Sequence, residues 1–126
     1  MRLRLLLASF LLLPIAQAIA QDSDPFYLEK RNDLGLVAYC SAHGMLPDDG
    51  YRFFKAGVDE IFGPRTNTPE GDLHERKGRD GIAYLQGEEQ SIQEMAAAYD
   101  VDVAEVCGQY KVHISLGKIA ASRRAK

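Results

Sequence analysis

QYKVHISL, residues 109–116, is the stretch whose reading decides the fold. Tyr110, Val112, Ile114 and Leu116 alternate with polar residues, the period-two pattern of a half-buried strand. Tyr110 and Ile114 also keep step with Val103, Val106 and Gly117 on one face of a helix, at spacings of three and four. A final helix makes the protein all-α. A final strand, paired with Ile82-Ala83-Tyr84-Leu85, makes a strand-helix-helix-strand unit.

The residues just before it, SIQEMAAAYDVDVAEVC (91–107), read as two short helices joined at a tight corner. Ser91 followed three residues later by Glu94 has the capping-box spacing. Ile92, Met95, Ala96 and Tyr99 share a face, Asp100-Val101-Asp102 breaks the run, and Val103 and Val106 begin a second apolar stripe. Upstream, Asp24 caps a helix that opens with Pro25, the favoured N-terminal pair, and Gly44 ends it after about Ala42. Leu34, Val37 and Ala38 share its apolar face, with Leu36 and Cys40 beside it. A second helix is expected from about Asp48 to Phe62, with Tyr51, Phe54, Val58 and Ile61 as an amphipathic stripe and Gly63-Pro64 as its stop. Residues 64–71 read as a loop, and Asp72 to Lys77 as a highly charged helix start. In the Gly-rich segment 71–87, Gly78, Gly81 and Gly87 each cost a helix roughly 1 kcal/mol relative to Ala. They point either to close packing against a neighbouring backbone or to an irregular segment.

The N-terminus sets the compartment. Arg2 and Arg4 precede a short leucine-rich run broken by Pro14, and Ala18-Ile19-Ala20 offers small residues for cleavage. This describes a secretory signal peptide over residues 1–20, leaving a single helical domain over 21–126 in the periplasm or medium. The mature chain holds 13 basic and 18 acidic residues, a net charge of −5 with His neutral. Such a balance gains little from a phosphate backbone, so no nucleic-acid partner is expected. The basic tail at 122–126 reads as a solvated end that complements a helix C-terminus. Two cysteines in an exported chain, Cys40 and Cys107, read as a disulfide. The alternative is a four-ligand site from Cys40, His43, Cys107 and His113, at a spacing that fits no zinc pattern well. The adopted reading has no metal and no cofactor.

No Gly-x-Ser-x-Gly, His-Glu-x-x-His or phosphate-loop frame is present, and no catalytic residue is assigned. Asp48-Asp49, Asp59-Glu60 and Glu88-Glu89 are adjacent pairs, which point apart on a helix and read as solvated. A DNA-reading helix-turn-helix fits the corner at 100–102 but not the acidic, exported chain, and residues 103–109 offer only Gln109 to read a base edge.

Two families bear on the rest. Ile92, Met95, Ala96, Tyr99, Val101, Val103 and Val106 fall in the register of the helical core of LysM modules, which bind N-acetylglucosamine polymers on a strand-helix-helix-strand unit. Arg31-Asn32-Asp33-Leu34-Gly35 through Tyr39-Cys40, Gly71-Asp72 through Lys77-Gly78 and Gly81, and Val106-Cys107-Gly108-Gln109 together resemble a family of small exported alphaproteobacterial proteins labelled pore-forming and ESAT-like. That resemblance spans about Phe26 to Tyr110 and implies an all-α fold, a Cys40–Cys107 pair and membrane activity. Of the amphipathic segments weighed for it, neither Tyr51–Phe62 nor Gln90–Val106 carries the Lys-rich polar face of an interfacial helix. The expectation is therefore an all-α bundle of about four helices stapled by one disulfide. Its expected role is non-enzymatic: it meets a lipid membrane, an envelope component or further copies of itself. A glycan-binding module and an acid-activated periplasmic chaperone are the alternatives.

Overall fold

The computed structural model describes residues 24–126; the expected signal peptide and the mature N-terminus lie outside the described residues. The described chain is mostly helical. Helix α1 spans Pro25–Ala42, α2 Gly50–Phe62 and α3 Pro69–Arg79; a hairpin of β1 (Ile82–Leu85) and β2 (Glu88–Ser91) follows, then α4 (Ile92–Tyr99), α5 (Val103–Gly108) and α6 (Lys111–Arg124). Where four helices are expected, the described residues form six, and a two-stranded sheet is added. The extra elements come from the Gly-rich segment, which supplies α3 and the hairpin, and from residues 111–124, which form a helix.

α1 is the central element. Asp24 accepts from the Phe26 and Tyr27 amides at 3.1 and 3.4 Å, and Pro25 fills a position that needs no amide donor. Tyr27, Leu34, Leu36, Val37 and Cys40 are all buried, so α1 is wrapped on several sides by its neighbours. α3 crosses α1 with the two backbones in contact at Gly35 and Gly78. A Cβ on Gly35 would sit 2.1 Å from the Glu75 carbonyl oxygen, and one on Gly78 would sit 2.2 Å from that of Asn32. Close packing is therefore the reason for Gly78. Gly81 and Gly87 are instead turn residues, at φ 76° and 82°.

The hairpin closes through Gln86 and Gly87, both at positive φ, the pattern of a two-residue primed turn. β1 pairs antiparallel with β2, Ile82 opposite Ser91 and Leu85 opposite Glu88. The strand expected at Ile82–Leu85 exists, but its partner is Glu88–Ser91 rather than 109–116. The strand-helix-helix-strand order of a LysM-like unit is accordingly not formed among the described residues.

Ser91 and Glu94 make the full capping box at the start of α4. Asp100, at φ 54°, ends that helix in the left-handed conformation, and Asp102 caps α5 by accepting from the Glu105 amide at 2.8 Å. The Sγ atoms of Cys40 and Cys107 are bonded, fastening α5 to α1 in the core. Two residues expected in apolar stripes, Tyr99 and Ile61, are 74% and 72% exposed. Each lies in the last turn of its helix, where the stripe outruns the surface it packs on.

Candidate functional site

Two places gather the residues that the sequence singles out, and they have different roles. The first is the α1–α3 crossing. The Arg31 guanidinium is buried; Nη2 lies 2.9 Å from Asp72 and Nε 3.5 Å from Glu75. Burial acts to lower its pKa, but the hydrogen bonds with Asp72 and Tyr27 and the charge of Glu75 outweigh that and hold it above the ordinary arginine value. Asn32 donates from Nδ2 to the carbonyls of His74 (3.0 Å) and Ile82 (2.9 Å) and accepts at Oδ1 from the Tyr84 amide (3.1 Å). The Asn32 side chain therefore serves β1 as a stand-in third strand. His74 is buried with its ring 4.7 Å from that of Tyr84 and Nδ1 2.9 Å from the Glu70 carbonyl. Every polar group of Asn32 is used inside the fold. The motifs around Arg31 and Asp72 thus build the scaffold; Arg31 Nη1 is buried without a hydrogen-bond partner, and Arg31, Tyr51, Asp72 and Glu75 border a cavity of about 170 Å³.

Asp33, beside this network, accepts from Lys30 Nζ at 3.0 Å and from the Tyr110 hydroxyl at 3.4 Å. Burial raises its pKa, with Lys30 working against the rise. A raised carboxyl means the native state binds its proton more readily than the unfolded chain, so protonating Asp33 as pH falls favours the fold. The Tyr110 phenol is pushed far up by burial and by the Asp33 charge, and Tyr51 upward by burial and Glu75. For a phenol with a raised native pKa, stability holds below the unfolded value of about 10 and falls as pH climbs above it. An absorbance titration of the six tyrosines should therefore show two that stay un-ionised past pH 10, until alkaline unfolding releases them together. Smooth titration of all six near pH 10 in folded protein would contradict this burial.

The other candidates are spread out. Asp59 binds Lys55 at 2.8 Å and Glu60 binds Arg124 at 3.1 Å, so that adjacent pair serves two separate ion pairs, while of Glu88-Glu89 it is Glu89 that binds Lys77. With Cys40 and Cys107 joined, the four-ligand alternative is not formed. The His43 ring packs 4.1 Å from that of Tyr39, and the His113 ring lies 6.0 Å from that of Phe54. Among the described residues no three His, Cys, Asp or Glu side chains converge as metal ligands.

The second place is α6. It packs chiefly on α2, through Ile114, Gly117 and Ala120, with Tyr110 just ahead of it. A Cβ on Gly117 would meet the Phe53 carbonyl oxygen at 1.7 Å, so the two helices touch backbone to backbone there. At about 100° per residue, Val112, Leu116 and Ile119 fall on the side roughly opposite this contact. They are 58%, 55% and 53% exposed, a degree no other apolar series on one helix matches among the described residues. Lys111 and Lys118 flank the stripe, and Arg123, Arg124 and Lys126 close it. Glu105 is the last acidic residue, so the final 21 residues carry five cations and no carboxylate side chain. Residues 21–105 hold eight basic against 18 acidic side chains, so charge is strongly segregated along the sequence. Beside α6, Phe54, Val58 and Ile61 of α2 and Leu116 and Ala120 of α6 wall an apolar groove of about 260 Å³.

Sequence reasoning missed this face because it splits into two interleaved series. Tyr110, Ile114 and Gly117 run inward and Val112, Leu116 and Ile119 outward, and together they imitate the alternation of a strand. The signal that finds it is the pair of i, i+4, i+7 series combined with the one-sided charge of the last 21 residues.

Comparison of the whole chain with protein-family models, with curated proteins and with solved structures finds no match in any of the three.

Proposed function

We propose that this is a non-enzymatic protein of an oxidising, extracytoplasmic compartment that docks on anionic membrane surfaces through α6. The observation that carries the reading is the exposed Val112, Leu116 and Ile119 stripe within a cationic, carboxylate-free helix. A basic amphipathic helix of this kind lies in the interfacial plane with its apolar side chains among the acyl chains and its cations at the headgroups. Full burial of such side chains is worth about 1.5–3 kcal/mol each, of which roughly half remains to be gained here. Each cation near an anionic surface adds about 1 kcal/mol. The acidic body then faces away, where screening over about 8 Å at physiological salt limits its repulsion. Pairing of two copies through the same face is disfavoured, since it would bring two cationic helices together, and of their cations only Arg124 is answered by a carboxylate among the described residues, that of Glu60. The buried Cys40–Cys107 bridge fits an oxidising compartment.

No helix among the described residues is long and apolar enough to cross a membrane. Pore formation, which the family resemblance implies, would therefore require several docked copies to assemble amphipathic faces. Co-sedimentation with phosphatidylglycerol vesicles tests docking, and dye trapped in the same vesicles reports pores. The expected result is binding that weakens with salt and is slight on phosphatidylcholine. Replacing Val112, Leu116 and Ile119 together by Ser should weaken it roughly a hundredfold, the equivalent of about 1 kcal/mol per side chain. Equal binding by the triple variant, or indifference to lipid charge, would remove the proposal.

A further inference from the structure

We infer that the groove between α2 and α6 receives one acyl chain of a single-chain anionic amphiphile, a long-chain carboxylate, with its headgroup at Arg123. The inference deepens the docking reading and rests on it for the route of entry, because Leu116 belongs both to the groove wall and to the exposed stripe. The groove's size and walls suit a chain. At about 260 Å³ it lies below the roughly 300 Å³ of the smallest ordinary ligand pockets, and Phe54, Val58, Ile61, Leu116 and Ala120 give it apolar sides. The Gly57–Gly117 approach brings the two helices together next to it; a Cβ on Gly57 would lie 3.6 Å from Gly117 Cα.

Charge at the mouth selects the headgroup. Four polar side chains border the groove: Lys30, Glu60, His113 and Arg123. Glu60 is held by Arg124 at 3.1 Å and Lys30 by Asp33 at 3.0 Å. Arg123 has no ion-pair partner among the described residues, so the mouth carries one uncompensated cation, and a guanidinium binds a carboxylate in bidentate fashion. A neutral lipid would leave that charge unanswered, and an extended peptide would bring backbone donors and acceptors that these walls do not satisfy.

The test is calorimetric titration of the folded protein with octanoate, decanoate and dodecanoate, each kept below its micelle concentration. Binding should be one to one and should tighten about fourfold per added CH₂ until the groove is full, then level off. Ala120→Leu, which fills the groove, should weaken dodecanoate at least tenfold and leave vesicle binding unchanged. Arg123→Gln should weaken dodecanoate about tenfold but leave the neutral dodecyl alcohol as before, a comparison that stands even if Ala120→Leu fails to fold. Absence of saturable binding overturns the inference, as does affinity that climbs without a plateau or ignores both substitutions. If vesicles are not bound but dodecanoate occupies the groove, the docking reading falls while the groove stands as a site for free carboxylates. If vesicles are bound and dodecanoate is not, the groove falls alone.

Discussion

Gly35→Ala is expected to destabilise the protein by about 3 kcal/mol or more, although the same change in the middle of an ordinary helix is worth close to 1 kcal/mol in the opposite direction. Two effects compete. Alanine removes backbone freedom from the unfolded chain and so favours the helix. At this position, however, its methyl would sit 2.1 Å from the Glu75 carbonyl and 2.7 Å from the Arg79 amide nitrogen. Those atoms belong to the backbone of α3 and cannot rotate away, so α1 and α3 must move apart by an ångström or more. Such a shift stretches Arg31–Asp72 beyond 2.9 Å and Asn32–His74 beyond 3.0 Å, and each buried polar group left unpaired adds about 1–3 kcal/mol. Gly78→Ala meets the same crossing from the other side, 2.2 Å from the Asn32 carbonyl, and should behave alike. Gly108→Ala is the control: its Cβ would enter open space, and the change should be neutral or slightly stabilising. Urea unfolding reads the difference, with a midpoint lower by roughly 1–3 M for either crossing glycine. A midpoint that rises for Gly35→Ala would mean that the helices do not meet at this distance in solution.

How much of this was legible beforehand follows from where each signal is stored. The ends of α1 are written locally, in Asp24-Pro25 and Gly44, and so is the Ser91–Glu94 capping box; these features depend on neighbours in the chain and survive a reading of the sequence alone. The purpose of Gly78 depends on Gly35, 43 residues away, and sequence could offer only packing or irregularity as alternatives. The hairpin was missed because Glu88-Glu89-Gln90-Ser91 has no apolar residue and its face is solvated, so no alternation announces a strand. Its turn, Gln86-Gly87, also lacks the stronger Asn-Gly signal. α6 was ambiguous for a different reason: an amphipathic pattern presumes one buried side, and this helix has apolar residues on two. The basic tail reads as the complement to a helix C-terminus, and Arg123 and Arg124 do occupy the last turn of α6. What the tail reading lacked was the exposed stripe it adjoins, since exposure is a property of the assembled fold.

Reduction of the Cys40–Cys107 bridge should produce the other large effect, a loss of roughly 4 kcal/mol. The bridge closes a loop of 67 residues, and in the chain-entropy account the benefit arises in the unfolded chain, which the cross-link denies many of its conformations. A domain of this size has only about 5–15 kcal/mol to lose, so the melting temperature should fall by roughly 15–30 °C. The consequences should be uneven across the molecule. α1, α3 and β1 are tied by the Gly35–Gly78 contact, Arg31 and Asn32, none of which involves sulfur. α4 and α5 are short; α4 is anchored by Ile92 and Ala96, and the only buried residues of α5 are the bridged Cys107 and its neighbour Val106. Hydrogen exchange should therefore rise first in 92–108 after reduction, while amides of α1 near Gly35 stay protected longer. The double variant Cys40→Ala, Cys107→Ala should repeat the pattern without reductant. Equal loss of protection in α1 and α4 would show that the fold opens as one unit and that the bridge holds the entire core rather than this corner. Local opening of 92–108 would in turn expose Ile92, Ala96 and Val106, adding a second apolar surface to that of α6. Dye release that appears only on reduction is the outcome that would join the bridge to the proposed membrane activity.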